Sequence, residues 1–298
     1  MSQAWQSKKE RGSPFLMRMI TWIALHVGRK PSRAILYPIC FYFILFSPNT
    51  RRSSREYLTR ALGRAARLGD IFRHYYYFAS MLLDRVFFLS GHESLFETKD
   101  INRQWFQDFV AQSKSCVLMG SHLGSFEMLR ILGTKEQKLP LKVLMYKENA
   151  EKTNAIFSAL NPEMVKSIIP IGGFESMFQV KASIDQGDII GILADRVHST
   201  DKAVVCRFFG RPARFPAGPI LMASALKVPV ILCFGIYTGA NRYTVYTELF
   251  AEEIIISRKN REKELQQWVQ RYVDRLEYYC KKAPYNWFNL YDFWDMDS

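Results

Sequence analysis

The sequence lacks the cysteine patterns of a metal site or a disulfide framework. Its five cysteines are widely spaced, odd in number and mostly set in apolar runs, and none forms a Cys-x-x-Cys pair. This usage argues against a zinc site and indicates a reducing compartment. The chain also contains no internal repeat, no low-complexity linker and no long disordered run of like charge.

Long apolar runs are missing as well. The uncharged stretch 34–46 carries Pro38 and falls short of the roughly 20 residues that a transmembrane helix needs. No convincing signal peptide is present, because the basic residues near the start are followed by an apolar stretch that Arg18 interrupts and that has no clear small-residue cleavage site.

Acidic residues are scarce in the first quarter of the chain. Residues 1–75 contain 14 Lys and Arg against 3 Asp and Glu, a local charge of +11 out of the total of +13. These cations alternate with large apolar and aromatic residues, which favours an anionic membrane surface, where each cation contributes about 1 kcal/mol. An acidic carrier protein and a merely solvated basic face are the alternatives. No nucleic-acid-binding motif accompanies the charge, so nucleic acid is not an expected partner.

Two segments of this first quarter have the pattern of helices. Residues 15–27 place apolar side chains at helical spacing, and residues 34–46 form the uncharged run that stops at Ser47-Pro48-Asn49. We predict that 1–50 is an N-terminal membrane-associated helical segment, an inserted or interfacial hairpin, and that 51–298 is the main domain. A tilted span and simple packing of both helices on the domain are the alternatives.

The rest of the chain alternates between strand-like and helix-like segments, which predicts an α/β fold with a mainly parallel central sheet flanked by helices. The predicted strands after the apolar run at 116–119 are 141–146, 167–171, 189–193, 204–209, 230–236 and 243–250. The predicted helices are 74–89, 101–111, 150–160, 174–186, 217–226 and 258–282.

The most informative stretch is 117–130, which reads Val-Leu-Met-Gly-Ser-His-Leu-Gly-Ser-Phe-Glu-Met-Leu-Arg. Its apolar part ends at Gly120 and a helix-compatible part follows, so His122 is predicted on the turn between a buried strand and a helix, where α/β sheets carry their chemistry. There Glu127 would hold one imidazole nitrogen while the other takes a proton from a hydroxyl or amine. An ordinary structural pair of histidine and carboxylate is the alternative.

Two further residues are predicted on the same edge of the sheet. Asp195 and Arg196 follow the apolar strand 189–194, and the carboxyl ends of parallel strands meet at one edge. Asp195 would bind the acceptor, support His122 or anchor a lid. An ordinary turn-initiating aspartate is the alternative.

The segment 208–219, Phe-Phe-Gly-Arg-Pro-Ala-Arg-Phe-Pro-Ala-Gly-Pro, is predicted to form a rigid loop whose last residues open a helix. The free amide groups of that helix could face an anionic group, and Arg211 and Arg214 would then meet a phosphate on a lipid or on a carrier's prosthetic arm. Loop rigidity alone is the alternative explanation of the glycines and prolines.

Four motifs in this sequence resemble one family. Ser121-His-Leu-Gly-Ser-Phe-Glu127 resembles the HxxxxD/E motif of the glycerolipid and lipid A acyltransferases, within the lysophospholipid acyltransferase superfamily. The segment 208–219, the sequence Val-Pro-Val-Ile at 228–231 and the Tyr-Asn-Trp-Phe-Asn segment at 285–289 are similar to the lipid A biosynthesis (lauroyl/myristoyl-type) acyltransferases. The resemblance covers about residues 15 to 295.

The resemblance implies a bacterial enzyme on the cytoplasmic face of the inner membrane, an O- or N-acyltransferase. It would move a fatty acyl chain from a thioester, on an acyl carrier protein or CoA, to a lipid-linked hydroxyl or amine. His122 and Glu127 are the expected catalytic residues, and no metal or other cofactor is expected. The expected substrate-binding residues are Asp195, Arg196, Lys147, Arg211 and Arg214, with Lys166 as a second candidate for the basic residue between the two motifs. The alternative is a non-catalytic membrane lipid-binding or scaffold protein on the same fold.

Overall fold

A computed structural model describes residues 22–112, 115–131, 133, 139–146, 160–171, 174–198 and 201–295. The strands are β1 (Glu97–Ile101), β2 (Val117–Gly120), β3 (Leu141–Tyr146), β4 (Ile168–Ile171), β5 (Ile189–Leu193), β6 (Ala203–Phe208), β7 (Arg211–Pro216), β8 (Val230–Gly239) and β9 (Arg242–Ala251). The α-helices are α1 (Arg29–Phe46), α2 (Pro48–Leu62), α3 (Leu68–Leu89), α4 (Arg103–Ala111), α5 (Phe126–Ile131), α6 (Phe174–Asp185), α7 (Gly218–Leu226) and α8 (Arg261–Lys282).

Seven of the strands form one sheet in the order β1-β9-β8-β2-β5-β3-β4. All neighbouring pairs in it are parallel except β8 and β9, which form an antiparallel hairpin. The central strand β2 is buried at every position, as expected for a strand that is covered on both faces. The predicted α/β fold with a mainly parallel sheet is therefore confirmed.

Apolar side chains pack on both faces of the sheet. Ile220 of α7, Leu276 of α8 and Trp287 near the C-terminus belong to one buried cluster. Phe87 of α3 and Phe106 of α4 belong to the other. The carboxyl edge of the parallel strands is left between these layers, and the segment 286–289 crosses it.

Helix α1 packs on the domain along one face only. Its buried residues Ser32, Leu36, Cys40 and Ile44 recur every four residues, and Pro38 does not end the helix. Its opposite face exposes large side chains, namely Ile35, Tyr37, Phe41, Tyr42, Phe43, Leu45 and Phe46. None of the helices in the part of the chain that the structure describes is long and apolar enough to cross a bilayer.

Several predicted boundaries differ from the structure. Helix α2 runs through residue 50 and ends at Gly63, which has a left-handed conformation with φ 64°, and the division of the chain into 1–50 and 51–298 stays a prediction. The loop predicted at 208–219 is instead a hairpin, in which β6 and β7 pair antiparallel as a separate two-stranded sheet. Strand β1 was not predicted. Of the predicted helix 15–27 only residues 22–27 are described, and they are helical; the predicted helix at 150–160 lies outside the described residues except for residue 160.

Candidate active site

The turn that carries His122 is fixed by a close approach of two glycines. Gly124 has φ +78°, and a Cβ atom on it would lie 2.1 Å from the carbonyl oxygen of Gly235 in β8. A Cβ atom on Gly235 would in turn lie 2.6 Å from the carbonyl oxygen of Ser125. The amide of Ser125 donates to the Gly235 carbonyl over 2.8 Å, so the chain after His122 lies directly against the central sheet.

His122 is held by Asp195 from the end of the neighbouring strand β5. Nδ1 of the imidazole lies 2.8 Å from Oδ1 of Asp195, and the His122 amide donates to both carboxylate oxygens over 3.1 Å. Because an ionised carboxylate only accepts hydrogen bonds, Nδ1 carries the proton of the neutral ring and Nε2 is the basic nitrogen. None of the described residues hydrogen-bonds to Nε2, and the His122 side chain is 30% exposed.

The Asp195 carboxylate is fully buried, and both of its oxygens accept hydrogen bonds. Besides His122, its Oδ2 accepts hydrogen bonds from the indole N–H of Trp287 over 3.0 Å and from the side-chain amide of Asn289 over 3.1 Å. The Phe288 amide donates to the carbonyl of His122 over 2.9 Å. One short segment near the C-terminus therefore holds both members of the His122 and Asp195 pair.

The electrostatics of the pair favour a neutral imidazole beside a charged carboxylate. Burial is the largest influence that lowers the pKa of His122, and the charge of Arg196 acts in the same direction against Asp195 and Glu127. Burial alone would raise the pKa of Asp195, but the charge and hydrogen bonds of His122, together with the charge of Arg196, outweigh it and lower the pKa to about 2. His122 is thus in its basic form at neutral pH.

The prediction that Glu127 holds one imidazole nitrogen is corrected by this geometry. Asp195 makes that hydrogen bond, and Oε1 of Glu127 instead pairs with Nη2 of Arg85 in α3 at 2.9 Å. Glu127 lies in the first turn of α5, whereas His122 lies on the turn that precedes this helix. Its negative charge still raises the pKa of His122, so a catalytic role for Glu127 stays a prediction.

The backbone amides of the histidine turn are already used. The amide of His122 donates to Asp195, that of Leu123 to the Ser121 hydroxyl, that of Gly124 to the Asn286 carbonyl and that of Ser125 to the Gly235 carbonyl. These four N–H groups are therefore not free to bind an oxyanion. A cation near the ring is the better source of such stabilisation.

The three arginines predicted to bind substrate lie in two different parts of the structure. Arg196 acts electrostatically on His122, and its guanidinium donates to the Asn289 side chain over 2.6 Å and to the Phe288 carbonyl over 3.0 Å. Arg211 and Arg214 lie on β7, where Arg211 is exposed and pairs with Glu56 of α2 at 2.9 Å.

The structure describes only one of the two candidates for the basic residue between the motifs. Lys147 lies outside the described residues. Lys166 is exposed in the 3₁₀ helix Pro162–Ser167. The assignment of substrate-binding roles to these lysines, and to Arg211 and Arg214, remains a prediction.

A small apolar cavity lies beside the helix that follows the histidine. Its lining includes Phe126 and Leu129 of α5, together with Leu118, Leu141 and Cys233 from the sheet, and its volume is about 40 Å³. This is close to the space of one water molecule and far below the roughly 300 Å³ at which ligand pockets begin. An acyl chain therefore does not fit this cavity as it stands.

The residues that complete the site from distant parts of the sequence were not predicted. Trp287 was not among the predicted site residues, yet its indole N–H donates to Asp195. Asn289 and Arg85 were not singled out at all. The one available signal was the cluster of indole and amide donors at 286–289, but nothing in the local pattern shows which strand they reach.

The fold and site together define an α/β protein in which a carboxylate-held histidine base lies at the carboxyl edge of a parallel sheet. The family model of the bacterial lipid A biosynthesis acyltransferases matches residues 72–295, three quarters of the chain. The chain belongs to this family, and membership implies acyltransferase activity. Among curated proteins, none matches the sequence.

Proposed function

We propose that this protein transfers a fatty acyl chain from an acyl thioester, carried by an acyl carrier protein or by CoA, to a hydroxyl or amine of a membrane lipid. The observation that carries the proposal is the state of the His122 ring. Asp195 holds Nδ1, which leaves Nε2 as a base on a side chain that is 30% exposed. Family membership supports the reaction class, and this geometry supports His122 as the proton acceptor.

In the proposed reaction Nε2 of His122 takes the proton from the acceptor as its oxygen or nitrogen attacks the thioester carbonyl carbon. The carbon–sulfur bond then breaks, and the departing thiolate takes the proton from the imidazolium, which gives an acylated lipid and a free thiol. Asp195 stabilises the transient imidazolium through its hydrogen bond to Nδ1, and the charge of Glu127 acts in the same sense. We assign the stabilisation of the oxyanion to the positive charge of Arg196.

Acyl transfer by the purified protein into lipid vesicles tests the proposal. Acyl-carrier-protein and acyl-CoA donors with a labelled chain are supplied in separate reactions, and the labelled lipid is identified by mass spectrometry. We expect His122→Ala to lower the rate by about 10²- to 10⁴-fold. The matched control is His92→Ala, because His92 is exposed and belongs to the loop before β1. Full transfer by the His122→Ala protein would exclude this mechanism.

A cellular measurement separates catalysis from the scaffold alternative. Lipids are compared between cells with and without the gene, and the same comparison identifies the acceptor as a phosphorylated glycolipid, an aminolipid or another head group. Loss of one acylated species that only the catalytically intact gene restores supports an enzyme. An unchanged acylation pattern favours a non-catalytic lipid-binding or scaffold protein.

We further propose that the exposed face of α1 rests on the cytoplasmic surface of the bacterial inner membrane. This face forms an apolar groove of about 480 Å³ together with Phe72 of α3, and the lining residues from α1 are Tyr37, Pro38, Phe41, Tyr42, Leu45 and Phe46. Phe41 is 58% exposed and Phe46 is 62% exposed. The basic excess of the surrounding first quarter of the chain adds electrostatic attraction to anionic lipids.

Vesicle flotation tests the membrane proposal. We expect the Phe41→Asn/Phe46→Asn protein to lose at least tenfold in affinity for anionic phosphatidylglycerol vesicles, because two apolar anchors are removed. Phe178→Asn is the matched control, since Phe178 is 75% exposed on α6, away from the groove. Unchanged vesicle binding by the double variant would contradict the assignment of this face.

A further inference from the structure

A buried histidine that the proposed chemistry does not use is linked to the site by hydrogen bonds. His74 of α3 is fully buried, and its Nε2 lies 2.9 Å from the carbonyl oxygen of Trp287. Its Nδ1 lies 2.8 Å from the hydroxyl oxygen of Ser54 in α2, which is also fully buried. A continuous line of contacts thus runs from α2 through His74 and Trp287 to Asp195 and His122.

The partners of His74 fix its tautomer. A carbonyl oxygen can only accept a hydrogen bond, so Nε2 of His74 carries the proton and donates to Trp287. Nδ1 is then the acceptor, and the Ser54 hydroxyl donates to it. Burial lowers the pKa of His74 to about 4, which keeps this neutral form throughout the physiological range.

The Trp287 peptide unit connects this contact to both members of the reactive pair. The carbonyl of Trp287 accepts from His74, the indole of Trp287 donates to Asp195, and the next amide, of Phe288, donates to the carbonyl of His122. Without the His74 contact, the peptide unit between Trp287 and Phe288 would be held by side-chain packing and by the single hydrogen bond from its N–H to the His122 carbonyl. Since Trp287 is itself fully buried, a shift of its peptide unit moves the indole relative to Asp195.

We propose that His74 is a positioning residue for the His122 and Asp195 pair, and that it acts by fixing the Trp287 peptide unit. The expected effect of His74 on the reaction rate depends on the proposed acyl transfer. The expected effect on the position of Trp287 does not. Removal of the His74 donor lets the indole leave Asp195, which then has one competing donor fewer, Asn289, beside His122. A more open site also hydrates the ring, and both changes stabilise the imidazolium of His122.

The kinetic test uses His74→Phe, which keeps the ring volume but removes both hydrogen bonds, and His74→Gln, whose side-chain amide can still donate to the Trp287 carbonyl. For His74→Phe we expect kcat to fall between about tenfold and 100-fold, with the KM for the thioester unchanged within about twofold. The acid limb of the kcat/KM profile should move to higher pH. The His74→Gln protein should recover most of kcat and the original profile.

Phe88→Leu is the control for a loss of packing, since Phe88 is equally buried on the same helix but belongs to the opposite apolar cluster. It should lower the midpoint of thermal unfolding without moving the pH profile. Should His74→Phe fail to fold, Ser54→Ala removes the donor to Nδ1 and so loosens the ring that donates to Trp287, and a smaller shift of the pH profile in the same direction is expected. A His74→Phe protein with an unchanged profile and kcat within about twofold of the original would overturn the proposal.

A spectroscopic test does not depend on turnover. The chain contains only five histidines, so imidazole nitrogen NMR with single substitutions can assign each ring. We expect His74 to appear as the neutral Nε2–H tautomer between pH 5 and pH 9, and the titration of His122 to shift upward in His74→Phe. A titrating His74, or a His122 titration that ignores the substitution, contradicts the proposal. If His122→Ala retains transfer while these NMR shifts occur, the proposed reaction fails and the positioning of the pair by His74 stands.

Discussion

The indole nitrogen of Trp287 lies 3.0 Å from Oδ2 of Asp195, although 92 residues separate them in the chain. Oδ1 of the same carboxylate holds Nδ1 of His122. The two carboxylate oxygens thus have different roles, because Oδ2 is bound by the side chains of the C-terminal segment and Oδ1 orients the His122 ring. The base at the sheet edge is therefore built from three distant parts of the sequence.

The first expectation concerns the carboxylate itself. Asp195→Asn places an amide beside Nδ1, and an amide that donates there favours the tautomer with the proton on Nε2, which cannot act as a base. We expect kcat to fall by about 10²- to 10⁴-fold. Asp188→Asn is the matched control, because Asp188 is buried just before β5, at the opposite end of the same strand. Activity near the original level in Asp195→Asn would show that the tautomer of His122 is irrelevant.

A second expectation concerns the pH dependence of transfer. Because burial lowers the pKa of His122, activity should be retained as pH falls through about 6.5, the usual histidine value, and should be lost only below it. Glu127→Gln removes a charge that raises this pKa, so the acid limb of kcat/KM should move to still lower pH. Arg85→Gln breaks the ion pair but keeps the Glu127 charge, and should not move the acid limb of kcat/KM to lower pH. An upward shift in Glu127→Gln would refute an electrostatic role for this residue.

The third expectation is about stability at the histidine turn. Gly124→Ala combines a left-handed backbone with a Cβ atom placed 2.1 Å from a backbone oxygen, and we expect it to lower the free energy of unfolding by more than about 2 kcal/mol. Gly63→Ala has a similar φ of +64° and open space around it, so its cost should be about 1 kcal/mol. Denaturant unfolding of both proteins measures the difference. Equal losses would mean that the turn moves away from β8 at little cost.

The fourth expectation concerns the attachment of α1. Nε of Arg29 lies 2.7 Å from Oδ1 of Asp84, a residue that is fully buried, and the Tyr243 hydroxyl donates to the other carboxylate oxygen over 2.8 Å. Arg29→Met removes the cation that is hydrogen-bonded to that carboxylate, and we expect the free energy of unfolding to fall by about 3 kcal/mol or more. Arg29→Met/Asp84→Leu should be less destabilised than Arg29→Met alone, because no buried charge remains. Chemical unfolding measures both proteins, and a double variant whose loss of unfolding free energy equals the sum of the two single losses would contradict this account of the pair.

Much of the fold follows from local patterns in the sequence. Strands such as β3 and β5 are short apolar runs bounded by polar residues, and their alternation with helices permits few arrangements other than a parallel sheet. The place of His122 follows too, since Gly120 ends an apolar run immediately before it. The common edge for His122 and Asp195 then comes from parallel topology alone.

The partners within the site could not be predicted in the same way. Glu127 was predicted to contact His122, five residues before it, but its carboxylate forms an ion pair with Arg85 of α3 instead. Strand β7 contains Pro212 and Pro216, which argue against a central strand, yet a two-stranded hairpin leaves their missing donors without consequence. Tertiary contacts between distant segments decide such cases, and a local pattern carries no information about them.

The contact between Gly124 and Gly235 has a genetic consequence. Both positions already hold the smallest side chain, so a larger residue at either one cannot be relieved by shrinking its neighbour across the gap. A smaller side chain on β8 therefore cannot suppress a Gly124 mutation, and a suppressor would have to move the strand itself. A side chain at either glycine therefore cannot be accommodated by one further substitution at the other.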